Sequence, residues 1–403
     1  MSPASGRSPA ALRRAVKRHV WPQRFTFRAT CALGLEGFAQ AELEALPGVV
    51  MQQVGSGRLT FEAPFARVFD ILAGRVRTID RLRLRLVRFP LIDHATVTAR
   101  LARVPWSWWL PPAVEIQVDV REGASAYSAK DDWLRALDGA LVQHGCLPTP
   151  GADSVRIELD VHHDHMTVWL DVAGLPLRRR GIVAGDAWWV AEGSLQETTA
   201  AALVQTATET FGTPEGALWI DPFAGSGTVI REAERRVAGQ PHDADAPWSL
   251  RAGPAWREGA WRQARRDVEA AAWAQPPALM ASDVAPEVVV AAEHNLAQGL
   301  EAGRIRLDTG DARTCLSRAV AGHAGPVVIV TNPPYGDRAQ AQDAESADTL
   351  IAETLRAGAG AAFVLLYPRP EVVYGVPGVS VERHEAVEVR GRPLAVLAGR
   401  VAP

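Results

Sequence analysis

At 403 residues the chain is too long for one ordinary core, and its 47% hydrophobic content can fill two or three. A formal net charge of −3 excludes a polybasic surface over the whole molecule, so a nucleic-acid partner would have to meet locally clustered Arg and Lys. Cys31, Cys146 and Cys315 form no CxxC pair, which points to a reducing compartment and away from a structural zinc site.

Residues 1–23 are basic and lack the apolar core of a signal peptide. They read as a disordered tail, with an auxiliary nucleic-acid contact as the lesser reading. No apolar run reaches the length of a membrane span, and the chain is expected in the cytoplasm. Residues 24–90 read strand, helix, strand, helix, strand. The last strand, "RLRLRLVRF", puts Arg81, Arg83 and Arg85 on one face and Leu82, Leu84 and Leu86 on the other. Such an arginine stripe tracks phosphates or is a solvated face. Residues 91–172 form a second α+β unit that ends in a hairpin. "HHDH" at 162–165 is expected to be its turn rather than a metal site. "WSWW" at 106–109 is expected to pack between elements rather than stack on bases. A basic connector spans 173–193, and Arg178, Arg179 and Arg180 in it are candidate nucleic-acid contacts.

From residue 194 helices and parallel-type strands alternate, which predicts a mostly parallel sheet with helices on both faces. A closing hairpin through Gly391, Arg392 and Pro393 adds an antiparallel edge. An insertion at about 237–277 is rich in Trp.

Chemistry concentrates in four places. "DPFAGSGT" ends a strand in a glycine loop, where the backbone turns tightly and can approach a ligand closely. It is neither a P-loop nor a full GxGxxG. Asp283, in "ASDVAPE", can accept both hydroxyls of a ribose, and Asp311, in "TGDART", can accept from an adenine amine. Taken singly, each acid is more often a helix cap than a ligand. Lining one crevice, they fit an adenosine-bearing ligand. The fourth place is "TNPPYG". An exocyclic aromatic amine is a weak nucleophile because its lone pair is delocalised into the ring. The Asn332 oxygen and the Pro333 carbonyl can each accept one of its N–H groups and direct its electrons. Pro333 and Pro334 add no competing donor and hold the chain extended. Tyr335 offers a ring on which a base can stack.

These motifs resemble class I S-adenosylmethionine-dependent methyltransferases of the amino-group type. With "LPLRRRGIVAGDAWWVAEGSLQETTAAAL" and the upstream units, the chain is similar to THUMP-containing RNA guanine-N2 methyltransferases. The resemblance implies a Rossmann-like domain with a seven-stranded sheet over 194–403. Before it would come a ferredoxin-like unit at 24–90 and a THUMP-like RNA-binding domain at 91–172. It implies S-adenosylmethionine held by Asp221, Phe223, Ala224, Gly225, Ser226, Gly227 and Thr228, by Asp283 and Val284, by Asp311 and Ala312, by Asn332, and by Glu197 and Thr198. It further implies Asn332, Pro333, Pro334 and Tyr335 as the catalytic tetrad, no metal, and structured rRNA or tRNA as partner. Phe223-Ala224 departs from the Met-Cys that this family often has there. The Trp-rich insertion is similar to one in bacterial large-subunit rRNA enzymes. Rival readings are adenine-N6 methylation of nucleic acid, glutamine-amide methylation of protein, and a catalytically silent RNA-binding factor.

Overall fold

A computed structural model describes residues 8–123, 125, 128–150, 154–180, 195–335 and 344–403. Ser8 opens the first helix: its Oγ accepts the Ala11 N–H at 3.3 Å, and Pro9 takes the first helical position. The helix, α1, runs Pro9–His19 and buries Val16. Residues 9–19 are therefore helical, where the sequence reading placed a disordered tail. Leu12, Val16 and Val20 recur every fourth residue and supply the apolar stripe that disorder would lack.

The chain divides into two units, each drawing on several segments. The first gathers Met1–Thr30, Gln40–Arg179 and Asp243–Arg265. The second gathers Cys31–Ala39, Arg180–His242 and Arg266–Pro403. Part of the Trp-rich insertion thus clusters with the N-terminal unit, and residues 31–39 cluster with the C-terminal one.

The first unit holds β1 (Arg24–Thr30), β2 (Val50–Gly55), β3 (Arg58–Pro64), β4 (Arg81–Pro90), β5 (Ala113–Glu122), β6 (Leu147–Pro148), β7 (Ser154–His162) and β8 (His165–Asp171). They form a single eight-stranded sheet in the order β2-β3-β1-β4-β8-β7-β5-β6. The expected ferredoxin-like and THUMP-like segments therefore share a sheet, joined where β4 pairs antiparallel with β8. Helices α2 (Glu36–Glu44), α3 (Arg67–Asp70), α4 (His94–Ala102) and α5 (Lys130–Gln143) lie along this part of the chain. The "HHDH" stretch is the β7–β8 turn, with His163 and Asp164 both at positive φ. Trp106 and Trp109 are buried, as packing residues should be.

The arginine stripe is where structure and sequence part. Arg83 is 5% exposed and pairs with Glu158 at 3.4 Å. Burial pushes its guanidinium pKa down. Arg81 pairs with Asp171 at 3.1 Å, and Arg178 with Asp80 at 3.1 Å. Arg85 is half-buried. In the second unit, Arg180 is buried against Glu232. Arg83 and Arg180 are therefore interior ion-pair members, not phosphate contacts. Of the six candidates only Arg179 is exposed.

The second unit holds α6 (Glu197–Phe211), β9 (Leu218–Asp221), α7 (Thr228–Val237), α8 (Glu258–Glu269, shared between the units), β10 (Ala278–Asp283) and α9 (Pro286–Glu301). It continues with β11 (Ile305–Thr309), α10 (Ala312–Gly322), β12 (Val327–Thr331), α11 (Ala344–Ala357), β13 (Ala362–Tyr367), α12 (Pro370–Tyr374), β14 (Val379–Val389) and β15 (Arg392–Val401). The sheet order is β11-β10-β9-β12-β13-β15-β14. All pairings among β11, β10, β9, β12 and β13 are parallel, and β15 runs antiparallel to β13 and β14. This is the expected Rossmann-like sheet with its terminal hairpin. The hairpin turn falls at Arg390-Gly391, both at positive φ, one residue earlier than the sequence suggested. Strands β9, β12 and β13 are buried along their whole length, as central strands covered on both faces must be. Among the described residues no helix is long and apolar enough to cross a membrane.

Candidate active site

Sheet order reverses at β9, with β10 on one side and β12 on the other. Open parallel sheets form their ligand crevice beyond the strand C-termini at such a point. Asp221 ends β9, Asp283 ends β10, and Asn332 follows β12. Asp311 lies two residues beyond β11 and caps α10. The sequence-predicted acids and the Asn-Pro-Pro-Tyr turn therefore stand on one edge of one sheet.

The glycine loop is held from below. Asp221 is 1% exposed, and its Oδ1 accepts the Phe223 N–H at 3.1 Å and the Thr331 hydroxyl at 2.6 Å. It thus braces the loop and ties it to the residue just before Asn332. Asp283 accepts the Gly225 N–H at 2.9 Å on Oδ2 and the Ala285 N–H at 3.2 Å on Oδ1. Each oxygen retains a lone pair for a hydroxyl. The Asn295 amide donates to the Ser226 carbonyl at 2.9 Å. Gly225 and Gly227 both have positive φ, and Gly227 caps α7. A Cβ at Gly225 would meet nothing within 4 Å, so this stretch of backbone faces open space. A Cβ at Gly227 would come within 3.0 Å of Leu296, so that glycine also permits close packing of α9. Phe223 is half-buried, whereas Ala224, Ser226, Thr228 and Ala312 are buried. Val284, 68% exposed just after Asp283, leaves an apolar surface beside the crevice.

Asp311 is the busiest of the acids. It accepts the Arg313 and Thr314 N–H groups and forms two bonds with the Arg313 guanidinium, at 3.0 and 2.9 Å. That guanidinium holds its carboxyl below the usual range. Asp311 is thus a helix cap whose Oδ2 keeps room for one further donor. Glu197 begins α6, and Thr198 is fully buried, with a hydroxyl that has no partner among the described residues.

The decisive atom is Asn332 Oδ1. It is buried and has no hydrogen-bond partner among the described residues. An unmade bond on a buried acceptor costs about 1–3 kcal/mol, a cost tolerated where a ligand completes it. Pro333 is buried beside it. Tyr335 departs from expectation: it is 6% exposed, and its ring meets that of Tyr367 edge-on, with centroids 6.5 Å apart at 85°. The ring is packed inward, so stacking on a base requires it to turn out. Gly336 lies outside the described residues. Thr331 and Asn295 were missed by sequence reasoning. Thr331 did carry a signal, a lone hydroxyl ending a buried β-branched strand, whereas Asn295 carried none.

Burial pushes the Asp221 carboxyl up to about 7; the Thr331 and Phe223 bonds oppose the rise and the Asp283 charge adds to it. A folded pKa above the unfolded one means the native state keeps a proton that the unfolded chain has already lost. Asp221 therefore favours folding fully below about pH 4, and that advantage fades as pH rises to about 7. Between pH 5 and 7, wild type is expected to lose about 2–3 kcal/mol relative to Asp221→Asn. Urea midpoints of both proteins across that range check it; parallel curves would contradict it.

Residues 189–358 match the family model of the UPF0020, RMKL-like, methyltransferase domain. The chain is 26% identical over 333 residues to "Putative RNA methyltransferase YpsC" of Bacillus subtilis (strain 168), covering 78% of this chain and 80% of that one. It is 27% identical over 336 residues to ribosomal RNA large subunit methyltransferase K/L of Syntrophotalea carbinolica, covering 77% of this chain. The match spans only 44% of that relative's length. In fold the chain is similar to SMU.472, crystallised with SAH, at a TM-score of 0.76 and 19% identity over 94% of this chain and 99% of that one.

Proposed function

We propose that this protein, whose residues 189–358 match the family model of the RMKL-like methyltransferase domain, transfers a methyl group from S-adenosylmethionine to the exocyclic N2 amine of a guanine in rRNA or tRNA. One observation carries the reading: the buried Asn332 Oδ1, without a hydrogen-bond partner among the described residues, at the lip of a glycine-loop crevice. RNA as substrate is supported by the curated relatives, whose names are those of RNA methyltransferases.

The crevice residues fit this cofactor. The open backbone at Gly225 receives the methionine portion, Asp283 the ribose hydroxyls, Val284 a face of the adenine, and Asp311 Oδ2 its amine. When bound, the cofactor supplies an electrophilic methyl carbon on a sulfonium. Asn332 Oδ1 and the Pro333 carbonyl accept the two N–H groups of the target amine, which fixes the nitrogen and opposes withdrawal of its lone pair into the ring. The new N–C bond would replace the C–S bond of the sulfonium, and the nitrogen would then give up its surplus proton. Rate enhancement comes from positioning and from acceptors already in place. Asp221 and Thr331 do not touch the reacting atoms; they keep the loop and the acceptor in register. The N-terminal unit grips the RNA.

Nucleoside mass spectrometry of rRNA and tRNA from cells lacking the gene tests the assignment. Loss of N2-methylguanosine from one RNA species is the expected result; an unchanged profile would remove the reading.

A further inference from the structure

The RNA grip needs cations, yet Arg81, Arg83, Arg178 and Arg180 are spent on carboxylates within the protein. A cationic face without such partners among the described residues lies elsewhere, on α1. Arg13, Arg14, Lys17 and Arg18 are all exposed, and none forms an ion pair among the described residues. No Asp or Glu occurs from Ser8 to Trp21, in a chain of net charge −3. At 100° per residue the four cations span an arc of about 140°, whose centre lies about 110° around the helix from that of the buried Val16 and Val20.

This face is held in place rather than tethered. Val16 and Val20 are buried, and His19 stacks on Trp108 with ring centroids 5.7 Å apart. Just beyond the helix, Trp21 stacks on Phe69 at 5.4 Å, and Arg257 lies 4.0 Å over the Trp21 ring. The helix's apolar side is therefore already used against its own unit. What it turns outward carries Pro9, Ala10 and four positive charges. An interfacial membrane helix needs large apolar residues free to enter lipid, and none stands on this face. Phosphate oxygens need only clustered, accessible cations.

Resting on the RNA activity proposed above, we infer that the outward face of α1, formed by Arg13, Arg14, Lys17 and Arg18, is an accessory binding surface for the RNA phosphate backbone. It adds affinity without reading sequence, because point charges on phosphates carry no base information. It takes no part in cofactor binding.

The test is the full chain with all four residues changed to Gln, a good helix former that keeps side-chain length. Binding of bulk tRNA and of large-subunit rRNA fragments is measured from about 0.05 to 0.3 M salt. Losing four phosphate contacts is expected to make the slope of log K against log salt shallower by about 3, and binding near 0.1 M at least about tenfold weaker. Circular dichroism and S-adenosylmethionine binding should match wild type. An unchanged slope in a folded variant overturns the inference. So does wild type, but not the variant, binding vesicles of anionic phospholipid while the RNA slopes agree. Wild type that shows no saturable RNA binding overturns the RNA reading itself, and this inference with it.

Discussion

Asn332→Ala is expected to slow methyl transfer by about 10²–10³-fold while cofactor affinity stays within about twofold. The reason is local. Among the described residues Asn332 Oδ1 is buried and has no hydrogen-bond partner, so in the proposed reaction its bond to the target amine would cost no reorganisation. Truncation leaves the Gly225 backbone, Asp283 and the Asp221–Thr331 tie in place, and in the proposed site these are what the cofactor would meet or depend on. Asn332→Asp keeps two acceptor oxygens and should retain more activity than the alanine variant. Single-turnover rates with calorimetric cofactor binding separate the two effects. If both constants fell together, Asn332 would belong to cofactor binding rather than to the chemistry.

Glu158→Ala is expected to destabilise the N-terminal unit by about 3–5 kcal/mol, because it strands buried positive charge. Glu158 is 1% exposed and serves Arg28, Arg83 and Arg121 at once, while Arg28 also meets Asp160 at 2.6 Å. Arg28 and Arg83 are themselves buried and would both lose this partner. Glu158→Gln, which can still accept hydrogen bonds, should cost less. Because a chain of two units need not unfold in one step, the first transition in urea is the one to compare. A shift below about 1 kcal/mol would show that the network is not a stability element.

That network also shows what the sequence could not say. The alternation of "RLRLRLVRF" put Arg81, Arg83 and Arg85 on one face, but alternation does not tell which face meets water. The answer depends on β8 and β7, whose Asp171 and Glu158 lie more than seventy residues away and reach Arg83 only through strand pairing. The site was far more legible. The glycine loop, the two strand-end acids and the Asn-Pro-Pro-Tyr turn are contiguous motifs, and strand–helix alternation places their ends on one sheet edge. Tyr335 escaped because its packing against Tyr367 joins the turn after β12 to the end of β13, which are distant in the chain. Helix α1 was misread for a different reason. Its Arg and Ala content resembles a tail, but the fourth-residue spacing of Leu12, Val16 and Val20 gives it a buried side, and Trp21 just beyond it packs on Phe65 and Phe69. A helical spacing of three and then four residues in Trp261, Ala264 and Val268 foretold the insertion helix α8, which went unread beneath its Trp content.

The most direct measurement incubates the purified protein with methyl-labelled S-adenosylmethionine and bulk RNA from cells lacking the gene, then digests the RNA to nucleosides. The account predicts label in N2-methylguanosine, all but lost with Asn332→Ala. Label in N6-methyladenosine instead, or no label from a protein that binds the cofactor, would contradict it.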